Sequence, residues 1–174
     1  MKRQSKVVLA GMGVCTLIAT TSLKFHWPFK TSSEARIEEF FSAESREILE
    51  HGDRWTLLSI ESTGLDEPIY GKGTFHGYRI AGQTDVDAAR RDGLVAALYD
   101  GIAEKHLFHG ACFAPHHGIR ARKGNRTLDI LICFDCHIFE MYPGSGHGTP
   151  PIAESARPAF DAALRQAGVP LSAH

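Results

Sequence analysis

Apolar positions recur along this chain with two different periods, and the switches between them divide it into helices and strands. Over residues 34–50, Ile37, Phe40, Phe41 and Ile48 fall on one helical face. Thr31 with Glu34 supplies a capping box before that stretch and Gly52 follows it, so a helix is expected there. Residues 55–61 alternate as a strand does. Thr63, Gly64, Asp66 and Pro68 mark a loop, and residues 74–81 form a second expected strand. Thr84 and Asp87 then cap a second helix over 86–104, with Val86, Leu94, Leu98 and Ile102 on one face and Gly93 weakening it. From 108 to 142 the period is that of β structure, with a hairpin turn at Gly124 and Asn125. A Gly/Pro-rich loop over 143–151 leads to a last helix, which starts near Ser155 with Pro158 in its first turn. It carries Phe160, Ala163 and Leu164 and stops at Gly168 before Pro170. The order α-β-β-α-β-β-α predicts an α+β fold: a mainly antiparallel sheet of four to five strands with about three helices packed on one face.

Ahead of this pattern stands a different one. Lys2, Arg3 and Lys6 precede an uncharged run over residues 7–23, the arrangement of a signal-peptide n-region and h-region. The run is long for an h-region and at the short edge for a membrane span, so residues 1–24 read as a signal peptide or an N-terminal membrane anchor. Ala19 and Thr21 are the small residues available for cleavage. Cys15 follows Val14, which is bulkier than the Gly or Ala usual before a lipidated cysteine. Either reading keeps the cationic end in the cytoplasm and places the rest outside, in the periplasm or the medium. Residues 25–33, with Trp27 and Pro28, read as a linker and 34–171 as one domain.

With 174 residues, 43% of them apolar and 22% charged, a single packed domain is the ordinary outcome. Without Lys2, Arg3, Lys6 and Lys24 the 19 basic residues fall to 15 against 20 acidic ones, a net of −5. A mildly acidic domain with no basic stripe and no RNA-type aromatic motif excludes nucleic acid as a partner. The partner expected is an unidentified protein or small ligand.

The concentrated chemistry lies between His106 and His147, which bracket three of the four cysteines and six of the ten histidines. Setting Cys15 aside leaves an odd number of cysteines in the domain. That count allows one disulfide with a free thiol, three thiols, or a three-cysteine metal site completed by histidine. If Gly124 and Asn125 are the turn, Lys123 faces Arg126, Arg120 faces Asp129 and Ile119 faces Ile130, pairing charge with charge and apolar with apolar. Continued unbroken, the register sets His116 opposite Cys133 and Cys112 opposite His137. Those pairs are about 13 Å apart, too far for one metal ion, and Cys133 and Cys136 face opposite ways. A site therefore requires a break in the backbone. A bulge at Pro115 sets Cys112 across from Cys136 as a disulfide or thiol pair. A sharper turn at Phe134 and Asp135 instead makes Cys133 and Cys136 a zinc-knuckle-like pair, with Cys112 and His117 or His116 as further ligands. Amid Leu128, Ile130, Leu131, Ile132 and Phe134, all three cysteines could equally be small buried hydrophobes.

Two further stretches stand out: Phe75-His76-Gly77-Tyr78 before Gly82-Gln83-Thr84, and Cys112-Phe113-Ala114-Pro115-His116-His117-Gly118-Ile119-Arg120 before Asp129-Ile130-Leu131-Ile132-Cys133-Phe134-Asp135-Cys136. Through them the chain resembles, over roughly residues 55–171, a family of small exported bacterial proteins without an assigned function. In that family arginine usually stands where His116 stands here, and the next histidine matches His117. The resemblance thus implies His117 as the relevant histidine and an extracytoplasmic location, and it implies no activity.

Three functional readings follow. The first is a non-catalytic domain with a structural or sensing zinc site at Cys112, His117, Cys133 and Cys136. The second is a thiol/disulfide-active protein cycling Cys112 and Cys136, and the third an interaction module with structural cysteines. Whether the chain is an enzyme is left open, with no catalytic residue assigned: no Gly-x-Ser-x-Gly elbow, His-Glu-x-x-His or Walker pattern occurs. Gly71, Gly73 and Gly77 are too irregular for a phosphate loop, and Arg120 with Asp129 reads as a structural cross-strand pair.

Overall fold

Two short polar turns divide elements that the periodicity runs together. The computed structural model describes residues 31–62, 71–104, 113–143 and 150–172. Thr31 opens α1 (Ser32–Phe40): its hydroxyl accepts the Glu34 N–H while the Glu34 carboxylate accepts the Thr31 N–H, the expected capping box. The helix does not continue to residue 50. Ser42 accepts the Ser45 N–H and starts a second helix, α2 (Ala43–His51), and the break turns Phe41 into the core.

The second expected strand is also two. At His76 and Gly77 φ is +51° and +93°, the left-handed pair that a tight hairpin turn demands. After β1 (Arg54–Glu61), the turn separates β2 (Thr74–Phe75) from β3 (Tyr78–Asp85). Asp87 caps α3 (Ala88–Ala103) by accepting the Arg90 N–H. Then come β4 (His117–Lys123), β5 (Arg126–Cys133) and β6 (Ile138–Tyr142). A 3₁₀ turn at Glu154–Ala156 leads into α4 (Arg157–Gln166), with Pro158 in its first turn and Gly168 at φ +71° beyond its end.

The strands form one antiparallel sheet in the order β2-β3-β1-β4-β5-β6. The fold is α+β as expected, with six strands and four α-helices among the described residues. The extra strands come from the His76–Gly77 turn and from a turn after Cys133. Lys123 pairs with Arg126, Ile119 with Ile130 and Arg120 with Asp129, the register set by the Gly124–Asn125 turn. The ladder stays regular as far as His117 opposite Ile132. Pro115 precedes β4, and the irregularity in the sheet lies instead between β1 and β3 at Ser59 and Ile60.

Alternate side chains of the sheet face different worlds. Trp55, Leu57, Ile119, Ala121, Leu128, Ile130, Ile132 and Phe139 join the apolar faces of the helices in the main core. On the reverse side Leu58, Ile60, Phe75 and Leu131 form a smaller cluster flanked by Tyr78, Ile80, Phe113 and Tyr142, with no described helix residue among them. Among the described residues, that reverse face carries no helix.

The signal or anchor segment 1–24, residues 25–30 of the expected linker, the loop over 63–70, and His106, Cys112 and His147 lie outside the described residues, while Thr31, Ser32 and Ser33 of that linker form the cap and start of α1. No described helix is long and apolar enough to cross a membrane.

Candidate functional site

The backbone break falls at Phe134 and Asp135. β5 ends at Cys133, and the chain turns through Phe134, Asp135, Cys136 and His137, the last at φ +55°, before returning as β6. The turn brings Cys133 and Cys136 together as a disulfide, their Cα atoms 5.2 Å apart. The Cys136 N–H lies 3.1 Å from Cys133 Sγ, and the Ala114 N–H lies 3.4 Å from Cys136 Sγ. Both cysteines are buried, with Ile138, Phe113 and Ala114 around them. Between them Phe134 turns into the main core and Asp135 pairs with Arg157 at the start of α4.

His117 is on the other side of the sheet. It stands opposite Ile132, whose side chain belongs to the main core, and its ring packs edge-on to Phe134 and Phe160. Its Nε2 is 2.9 Å from Asp161 of α4. Cys133, one residue past Ile132, projects from the opposite face. The four residues expected to hold zinc are thus distributed: Cys133 and Cys136 together, His117 apart from them, and Cys112 outside the described residues. Cys136, expected across from Cys112, has Cys133 as its partner. Among the described residues no group of three or more His, Cys, Asp or Glu is placed to hold a metal ion.

His116 also serves packing. Its Nδ1 lies 3.1 Å from the Ser172 hydroxyl, and the Ser172 N–H donates to the buried Ser59 hydroxyl at 3.1 Å. The adjacent histidines therefore tie α4 and the segment after it to the sheet. The bond from His117, reinforced by the charges of His117, Arg165 and Arg157, holds the Asp161 carboxyl below its ordinary value of 3.8. A depressed folded-state value stabilises the fold above the unfolded-state pKa and is lost as pH falls through the folded one. Acid titration of unfolding should show wild-type stability declining more steeply than that of Asp161→Asn below about pH 4. Parallel curves would show that Asp161 does not couple protonation to folding.

The reverse face holds a more organised polar array. Asp129 is 5% exposed and accepts from Arg120 twice, Nε to Oδ1 at 2.8 Å and Nη2 to Oδ2 at 2.7 Å. His76 Nε2 donates to the same Oδ2 at 2.8 Å. The His76 ring stacks on Tyr142 with centroids 3.7 Å apart, and the Arg120 guanidinium lies 4.9 Å from the centre of the Phe75 ring. A non-glycine residue at φ +51° is strained, and here that conformation delivers the ring to Asp129. Asp129 and His76 thus hold Arg120 from one side.

The other side of Arg120 lines a groove of about 290 Å³ across β3, β1 and β4. Arg54 and Arg122 share its wall, with Thr56, Gln83 and Asp85 beside them and Leu58 and Ile80 as the apolar floor. Sequence reasoning paired Arg120 with Asp129 but gave His76 no role. The signal was the His-Gly dipeptide, whose histidine a two-residue turn turns toward β5.

The chain matches no family model, no curated protein and no solved structure.

Proposed function

We propose that this chain is an extracytoplasmic, non-catalytic binding domain, in which the cysteines are structural and the face of the sheet that no described helix covers is the working surface. The location rests on the cationic n-region and uncharged run at the N-terminus. One observation carries the binding reading: a bidentate pair of half-exposed Arg120 with buried Asp129, completed by a strained histidine, stands at the wall of a groove on the face that no described helix covers. Such an array fixes a guanidinium in place before any ligand arrives, which reduces the ordering cost of binding. Both cysteine sulfurs are buried and bonded to each other, an arrangement suited to stapling the β5–β6 turn in an oxidising compartment.

The experiment is the double variant Cys133→Ala/Cys136→Ala of the exported protein, compared with wild type for metal content and urea stability. A disulfide closing so short a loop contributes about 2 kcal/mol on a chain-entropy basis. The expected outcome is a metal-free wild type and a variant that still folds with about that loss. Stoichiometric zinc in the wild type, lost together with folding in the variant, would replace this reading by the zinc site at Cys112, His117, Cys133 and Cys136.

A further inference from the structure

Arg54 of β1 and Arg122 of β4 are direct cross-strand partners. Like charges placed directly opposite one another destabilise a sheet, whereas opposite charges there stabilise it. Two residues along β4 on the same face comes Arg120, opposite Thr56. Three guanidinium groups therefore converge on one groove. Among the described residues neither Arg54 nor Arg122 has a carboxylate within ion-pairing distance. Of the two acids nearby, Asp129 is bonded to Arg120 and His76, and Asp85 accepts the Thr56 hydroxyl at 3.0 Å and keeps its charge at the groove.

We propose that this groove binds a small oxyanion, a phosphate or carboxylate group, clamped between Arg54, Arg120 and Arg122 with the Gln83 amide as a neutral donor. The inference rests on the binding reading above and names its ligand class. Arg120 offers Asp129 only Nε and one Nη2 hydrogen, so three of its five N–H donors are left for a ligand. Guanidinium forks match the two-oxygen edge of carboxylates and phosphates, which suits an oxyanion better than a halide. At about 290 Å³ the groove accepts a small molecule and not a folded partner. The apolar floor of Leu58 and Ile80 gives a carbon skeleton something to rest on. Asp85 at the rim repels a second negative charge there, so the ligand's anionic group sits toward Arg54 and Arg122.

The test is NMR titration of the disulfide-intact protein with inorganic phosphate, with succinate and with sodium chloride at matched ionic strength. Saturable shifts confined to β1, β3 and β4 with phosphate or succinate are expected, and whichever binds more tightly identifies the source. Arg54→Ala/Arg122→Ala should weaken binding at least about tenfold. The same variant without ligand should melt at a higher temperature than wild type, because the cross-strand repulsion is gone. Arg54→Lys/Arg122→Lys, which keeps the charge but not the fork, should fall between them. Shifts that rise linearly and equally with all three salts would overturn the proposal, as would a double alanine variant that binds like wild type. Neither result depends on the state of the cysteines, so failure here is distinct from finding zinc at them.

Discussion

Asp129→Ala is expected to lower the free energy of unfolding by about 3 kcal/mol, at the low end of what breaking a buried ion pair costs. Asp129 is 5% exposed and accepts three hydrogen bonds from charged or polarised donors, so its removal strands Arg120 and His76 at once. The Arg120 side chain is 38% exposed and can turn toward water, which keeps the loss from reaching the upper end of that range. The conformation of His76 would then be held by its ring contacts with Tyr142 and Phe75. Asp129→Asn, which keeps an acceptor but not the charge, should lose less. Urea unfolding measures both; a loss below about 1 kcal/mol for the alanine variant would mean that the array does not hold Arg120 in place.

A larger loss, about 4 kcal/mol, is expected for Phe160→Ala. Phe160 is fully buried on α4, with its ring 5.6 Å from Phe134 and 6.1 Å from His117, centroid to centroid. Phe134 lies inside the disulfide turn and His117 bonds to Asp161 one residue along the helix. Truncating Phe160 therefore opens a cavity where α4, β4 and the turn meet, and a rigid, cross-linked turn collapses into it poorly. Phe160→Leu should recover more than half of the loss. A denaturation midpoint for the alanine variant close to wild type would show that α4 is not anchored through this ring.

How much of this was legible in the sequence depends on the range of the interaction. The Gly124–Asn125 turn specified a register, and that register is present from Lys123 opposite Arg126 to His117 opposite Ile132. The cap at Thr31 is local chemistry and is where it was expected, whereas the second helix starts later than expected, with Asp87 as its cap and Thr84 still in β3. The break at Ser42 was hidden because Ile37, Phe40, Phe41 and Ile48 keep a helical period across it, and burial of Phe41 outweighs continuity. The His76–Gly77 turn falls inside residues 74–81, which read as one strand; the apolar positions change parity there, from Phe75 to Tyr78 and Ile80.

At the cysteines the sequence offered a break at Pro115 or at Phe134 and Asp135, and the second is where the chain turns, but neither alternative contained the Cys133–Cys136 disulfide that the turn makes. Phe134 has a place in the main core and Asp135 has Arg157, both contributed from across the molecule by α4. The separation of His117 from Cys133 was readable in principle. In the hairpin register His117 faces Ile132, and consecutive strand residues alternate faces. The groove depends on β1 lying between β3 and β4, a long-range order that a local pattern does not encode.

The central claim, that the cysteines are a staple and not a reaction centre or metal site, meets its most direct test in tryptic mass mapping under non-reducing conditions. No Lys or Arg lies between Arg126 and Arg157, so Cys133 and Cys136 share one peptide, while Cys112 falls on another that ends at Arg120. The account predicts that the Cys133/Cys136 peptide is lighter by two hydrogens, resists alkylation until reduced and is not joined to the Cys112 peptide. A cross-link between the two peptides, or immediate alkylation of Cys133 and Cys136 in the unfolded, unreduced protein, would contradict it.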